Sequence, residues 1–225
     1  MPALKSAVSK SGMHVNAIPE RPPERDAAVK NPILVRERRA ALVRAAIDVF
    51  AEKGYHAARV ADVARAAGIA PGTVYNYVGS KEDLLHMVVA DHLYGYERIV
   101  KQAMENVASP KERLKTLLRA TIEAIFFYRK HYLVMVRELH HVGRERRRAF
   151  MRLAAEQRQI CEDLLREIAA DEGLDIGNPL ITANLMIFLP SFVIARGWDL
   201  RGKVSDDEIA EALMGFMLRG LGRSD

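Results

Sequence analysis

The residues whose types and spacing suit chemistry lie between positions 59 and 81. Thr73, Tyr75, Asn76 and Tyr77 crowd hydroxyl, amide and aromatic groups into one short segment, and Lys81 follows just after it. Such groups bond to or pack against base edges, and a lysine reaches a phosphate. Gly72 lets the backbone approach a phosphate closely. Pro71 suits the first position of a helix, whose N-terminus offers free N–H groups to an anion. Arg59 has a charge to place on a phosphate. Two of these side chains have a second reading: Tyr75 as a core ring and Asn76 as a merely solvated one. Tyr77 and Lys81 are preferred as contacts.

These side chains need a brace. Leu42, Ala46, Val49 and Phe50 fall on one helical face, from about Arg36 until Gly54 can end the helix. Val60, Val63, Ala64 and Ala67 form a short second helix stopped by Gly68. The turn Ile69-Ala70-Pro71-Gly72 leads into a third, predicted to run to about Val78 and to break at Gly79-Ser80. Ser80 caps the next helix, with Asp83 three residues on. A short helix, a glycine-bearing turn and a second short helix make a helix-turn-helix, whose second helix must enter a major groove about 12 Å wide.

The runs Ala45-Ala46-Ile47-Asp48-Val49-Phe50-Ala51-Glu52-Lys53-Gly54-Tyr55, Asp62-Val63-Ala64-Arg65-Ala66-Ala67-Gly68-Ile69 and Gly72-Thr73-Val74-Tyr75-Asn76-Tyr77-Val78-Gly79-Ser80-Lys81-Glu82-Asp83-Leu84-Leu85 resemble the DNA-binding domain of the TetR family. The resemblance covers about residues 36–92 and rests on many spaced positions. It implies a three-helix DNA-binding domain, a linking helix, and a C-terminal domain that binds a small ligand and dimerises. It also implies that Thr73, Tyr75, Tyr77 and Lys81 contact DNA, with Pro71 and Gly72 against the duplex. Two departures stand out. Ala58-Arg59-Val60 replaces the usual capping Thr or Ser, worth about 1 kcal/mol to that helix. Val78 replaces an aromatic residue.

Charge agrees with this placement. Residues 1–81 hold 13 Lys+Arg against 7 Asp+Glu, and the remaining 144 hold 21 against 22. The basic excess is therefore N-terminal, where a polyanion would bind. Residues 1–31 are read as a disordered basic arm, 32–80 as the helix-turn-helix domain and 81–225 as the sensing and dimerisation domain, with 81–100 its linking helix. Farther on, Leu114 to Ile125, Tyr132 to His141, Phe150 to Ile168, Leu180 to Trp198 (kinked by Pro190) and Asp206 to Leu221 show helical spacing, and no alternating strand pattern occurs. The expected class is all-α, an N-terminal three-helix domain followed by a larger helical one.

Phe126, Phe127, Tyr132, Met135, Phe150 and Leu189 are the candidates to surround a ligand, with Arg137 or His140 as polar anchor. The expected effector is apolar with one polar or anionic end: an acyl-coenzyme A, a fatty acid or an aromatic compound. Phe188, Phe192, Phe216, Met217 and Leu221 are the candidate dimer contacts. Adjacent His140 and His141 point about 100° apart and are a poor metal pair, so no metal or cofactor is expected. Arg144, Arg146, Arg147 and Arg148 are either a solvated helix start or a docking site for a phosphate-bearing ligand. Cys161 lies in an apolar stripe and reads as inert. No nucleophile–base constellation suggests an enzyme. An architectural DNA binder without a ligand is the alternative to a ligand-released repressor. No run approaches about 18 consecutive apolar residues and no leader pattern opens the chain, so a cytoplasmic homodimer on double-stranded operator DNA, without membrane, is expected.

Overall fold

The computed structural model describes residues 32–222, and every regular element among them is helical. In order these are α1 (Pro32–Ala57), α2 (Val60–Ala67), α3 (Pro71–Val74), α4 (Lys81–Met104), α5 (Pro110–Phe127), α6 (Arg129–Glu138), α7 (Arg144–Glu172), α8 (Pro179–Phe188), α9 (Phe192–Leu200) and α10 (Asp206–Arg219). Single 3-10 turns lie at Leu139–His141 and Leu189–Ser191. The all-α expectation holds for these residues, and the arm over residues 1–31 lies outside them.

The described chain forms two compact units. The first takes residues 32–95 and Lys130–Ala149, and the second takes Tyr96–Arg129 and the chain from Phe150 onward. A cut at 80/81 was expected, and the observed division differs for a physical reason. The first half of α4 buries Leu84, Leu85 and Val88, and its polar side chains bond to the segment 130–149. Gly143 donates its N–H to Glu82 at 2.9 Å, Arg146 donates to Asp83 at 3.0 Å, and His131 meets Asp91 at 3.1 Å. Lys130 also pairs with Asp48 of α1 at 2.6 Å. Against α6, His92 is fully buried edge-on to Tyr132 at 5.7 Å. Burial, then the nearby His131, push its imidazole down to about 3, so it is neutral in the fold.

In the second unit Leu114, Leu117, Leu118 and Ile122 of α5 pack inward, with Cys161, Leu164 and Leu165 of α7 and Leu213 and Met217 of α10 also buried. Ser205 opens α10 with a reciprocal cap: its hydroxyl accepts from the Glu208 N–H, and Glu208 accepts from the Ser205 N–H. Pro190 breaks the segment Pro179–Leu200 with a 3-10 turn, as the sequence predicts. By length and composition that segment could cross a membrane, with mean hydropathy 1.6. Within it Ala183, Met186 and Val193 are in the core, while Ile181, Leu185, Phe188 and Trp198 stand exposed.

Candidate nucleic-acid interface

The first unit presents one short element on a buried brace. α1 is interrupted at Gly54, whose φ of 75° favours glycine. α2 ends in a Schellman turn. Gly68 adopts a left-handed conformation, its N–H reaches Arg65 O at 3.2 Å, and the Ile69 N–H reaches Ala64 O at 3.0 Å. Ile69 is buried and anchors the turn. The start of α2 lacks a capping side chain from Arg59, as expected, but Asp62 compensates. Its carboxylate accepts the Arg59 N–H at 3.0 Å and pairs with Lys53 at 3.1 Å. The bond from the Arg59 backbone, then Lys53, hold that carboxyl below its usual range.

α3 is only one turn long. It stops at Val74, short of the expected Val78, and residues 75–77 form a turn. This decides which side chains can reach a groove. Pro71, Gly72, Thr73, Tyr75 and Asn76 are exposed, whereas Val74 and Val78 are buried. Tyr75 is 51% exposed and Tyr77 only 5%. Tyr77, preferred from the sequence as a contact, is thus the buried ring of the pair and Tyr75 the exposed one. Once the helix ends, 3.6-residue spacing no longer governs, and the turn folds Tyr77 onto the core. Arg59, just before α2, and Arg65 within it are exposed.

Lys81, expected to reach a phosphate, is engaged within its own chain. Its ammonium donates to three carbonyls at and just past the end of α1: Tyr55 at 2.6 Å, His56 at 3.0 Å and Ala58 at 3.0 Å. It also sits 4.5 Å from the centre of the Tyr55 ring. A helix C-terminus leaves carbonyls without partners, and this lysine satisfies them from 26 residues away. Its charge holds α1 to the start of α4 rather than standing free. The Ser80 cap forms as the sequence predicts, with its hydroxyl accepting the Asp83 N–H at 3.1 Å. Asp83 in turn accepts from the Gly79 N–H at 2.9 Å. Burial raises the Asp83 carboxyl, but the bonds from Gly79 and Arg146 outweigh it and the net direction is down.

The remaining candidates scatter. Tyr132, Met135, Arg137 and His140 belong to the first unit and Phe126, Phe127, Phe150 and Leu189 to the second. Phe127 is half-exposed and Arg137 and His140 are exposed. A cavity in the second unit, about 330 Å³, is lined instead by Tyr96, Glu97, Val100, Lys101 and Met104 of α4, Glu105 just after it, Arg113 and Leu117 of α5, and Gln157 and Ile160 of α7. Sequence reasoning missed it because it looked for aromatic density, and this lining has one aromatic ring.

Among the proposed dimer contacts, Phe188 is 68% and Phe216 66% exposed, while Met217 is 4% exposed and belongs to the core of its own chain. Phe192 and Leu221 are intermediate. One residue is a 100° step on a helix, so Phe216 and Met217 face different ways. Leu185 and Trp198, not foreseen, join the exposed set. His141 stacks on Tyr55 at 4.8 Å and touches the rings of His56 and His140, yet among the described residues no group of three such side chains has metal-holding geometry. Arg146 is committed to Asp83, and Arg144 and Arg148 are exposed. Cys161 is fully buried, and burial pushes its thiol up to about 12, so it is inert near neutral pH.

An exposed one-turn reading element on a buried two-helix brace, in a chain with a separate helical unit, is the build of a helix-turn-helix DNA-binding regulator. Residues 42–88 match the model described as bacterial regulatory proteins, tetR family, and residues 107–221 match that of the tetracyclin repressor-like C-terminal domain. The chain belongs to the TetR family, whose members are DNA-binding transcriptional regulators and not enzymes. It is 26% identical to the transcriptional repressor KstR2 of Mycolicibacterium smegmatis over 198 residues, 88% of this chain and 97% of that one. It is 36% identical to the transcriptional regulator HbdR of Aromatoleum sp. over 86 residues, 38% of each chain. Its fold is shared with the transcriptional regulator FadR from Bacillus subtilis, solved in complex with stearoyl-CoA, at a TM-score of 0.64 and 21% identity, covering 80% of this chain and 98% of that one.

Proposed function

We propose that this regulator is a cytoplasmic homodimeric repressor that binds operator DNA through Arg59, Pro71, Gly72, Thr73, Tyr75 and Asn76 and leaves it when a small acyl or hydrophobic compound binds the second unit. The observation that carries the reading is the exposure of Thr73, Tyr75 and Asn76 on a scaffold whose neighbours Val74, Tyr77 and Val78 are buried. Polar and aromatic side chains held out on a rigid base are what base readout needs. In this arrangement Tyr77 and Lys81 position the reading element from behind.

One turn of helix reads few base pairs, so two copies are required, placed on half-sites about 34–36 Å apart or a multiple of that. Leu185, Phe188, Trp198 and Phe216 offer the apolar surface for the two-fold contact. The relatives support repression and acyl sensing: KstR2 is named a repressor, and FadR holds stearoyl-CoA. A ligand acts only if it binds the released geometry better than the bound one, and a tenfold loss of operator affinity needs about 1.4 kcal/mol of such preference. The test is a gel-shift series on the promoter regions flanking the gene. A palindromic fragment bound as a dimer and released by an acyl compound is expected. Binding that ignores sequence is the result that moves the assignment to an architectural DNA binder.

A further inference from the structure

The cavity of the second unit has a layered chemistry. Tyr96, Val100 and Leu117 form its buried floor, while Glu97, Lys101, Glu105 and Ile160 stand exposed at its rim. Between them, half-buried, lie Met104, Arg113 and Gln157. The floor tyrosine is already committed. Thr121 spends its only hydroxyl proton on Leu117 O at 2.8 Å, so Tyr96 is the donor in the 2.8 Å bond between the two hydroxyls. Burial pushes the Tyr96 phenol up to about 12, so it stays neutral. The floor therefore offers an apolar surface and no free proton donor.

The middle layer differs. The Gln157 Nε2 is buried without a hydrogen-bond partner among the described residues, a condition that costs about 1–3 kcal/mol unless something satisfies it. Arg113 has five N–H donors and no acceptor, and among the described residues it forms no ion pair. The Gln157 amide N–H and the Arg113 guanidinium are thus donors left open, among the described residues, above an apolar floor. The carboxylates of the lining, Glu97 and Glu105, sit at the exposed rim.

Resting on the ligand-released reading above, we infer that this cavity binds a compact apolar chain or ring ending in a carbonyl or carboxylate oxygen, which accepts from Gln157 and Arg113 while the hydrocarbon covers Tyr96, Val100 and Leu117. A volume of about 330 Å³ lies at the small end of ligand sites and suits an acyl group rather than a whole coenzyme A thioester. The oxygen-ended acyl chemistry is common to free acids and to thioesters whose carrier remains outside, and titration separates the two sources.

The experiment uses the full chain with octanoate, octanoyl-coenzyme A, 1-octanol and octylamine, followed by calorimetry and by operator release in gel shifts. Octanoate or octanoyl-coenzyme A is expected to bind, 1-octanol at least tenfold more weakly, and octylamine not measurably. Gln157→Leu and Arg113→Gln are each expected to weaken binding at least tenfold. Ile160→Trp, at the exposed rim, narrows the mouth without touching the core and is expected to do the same. Acyl binding that is unchanged in all three variants overturns the cavity assignment and leaves ligand release standing. Binding lost in the variants, with wild-type operator affinity unaffected by ligand, keeps the cavity and overturns ligand release. Absence of binding by both acyl probes overturns the inference.

Discussion

Replacing Lys81 by alanine separates two roles for one side chain. In the structure its ammonium donates to the carbonyls of Tyr55, His56 and Ala58. A hydrogen bond to a charged group is worth about 1.5–3 kcal/mol when well sheltered. Lys81 is half-buried, water replaces part of what is lost, and the three bonds share one charge. The combined loss is then about 2–3 kcal/mol, including a contribution from the Tyr55 ring. For a chain of this size each kcal/mol lowers Tm by about 2–4 °C, so Lys81→Ala should melt roughly 4–12 °C lower. Lys81→Met keeps the stem and loses the donors, and should fall almost as far. Operator binding below the melting range should keep its salt dependence. A lysine that neutralised a phosphate predicts the opposite, an unchanged Tm and a salt slope reduced by about 0.9. Calorimetry of the three proteins, with operator binding titrated across salt concentrations, decides between them. An unchanged Tm with the smaller slope refutes the capping role.

Tyr75→Ala and Asn76→Ala should each weaken operator binding by about 1–3 kcal/mol with Tm unchanged, whereas Tyr77→Ala should lower Tm, as read by calorimetry beside gel shifts. Leu185→Asp or Phe188→Asp should yield monomers in sedimentation and abolish operator binding, while Met217→Asp should impair folding itself. His92 is held at about 3 in the fold against an ordinary 6.5, so between those values the unfolded chain binds the extra proton. Stability should therefore fall as pH drops below 6.5, by at most about 1.4 kcal/mol per pH unit from this group. His92→Phe should flatten that part of a Tm–pH curve, and an equally steep curve in the variant would remove His92 as its cause.

Much of the DNA-binding unit could be read from sequence because its signals are local. Gly68 ends α2, Ser80 with Asp83 opens α4, and Pro190 breaks the apolar helix, each acting within a few residues. What escaped depends on distant partners or on the loss of periodicity. Tyr75 is exposed and Tyr77 buried because α3 ends at Val74, and a turn has no helical spacing to follow. Lys81 finds its carbonyls 23 to 26 residues away, and Glu82 meets Gly143 61 residues away, a pairing that draws 130–149 into the first unit. The cavity was illegible because aromatic residues were taken as its markers. Phe127 proved half-exposed, and the lining mixes charged and aliphatic side chains whose convergence only the fold reveals.

The central claim is sequence-specific grip on DNA by the exposed surface of α3 and the turn after it. Footprinting on the flanking promoter, with wild type and Tyr75→Ala side by side, tests it most directly. Wild type should protect two symmetric half-sites centred about 34–36 Å apart or a multiple of that, and the folded variant should lose that protection at the same concentration. Protection of DNA without a repeated half-site, or an identical footprint from Tyr75→Ala, contradicts the account.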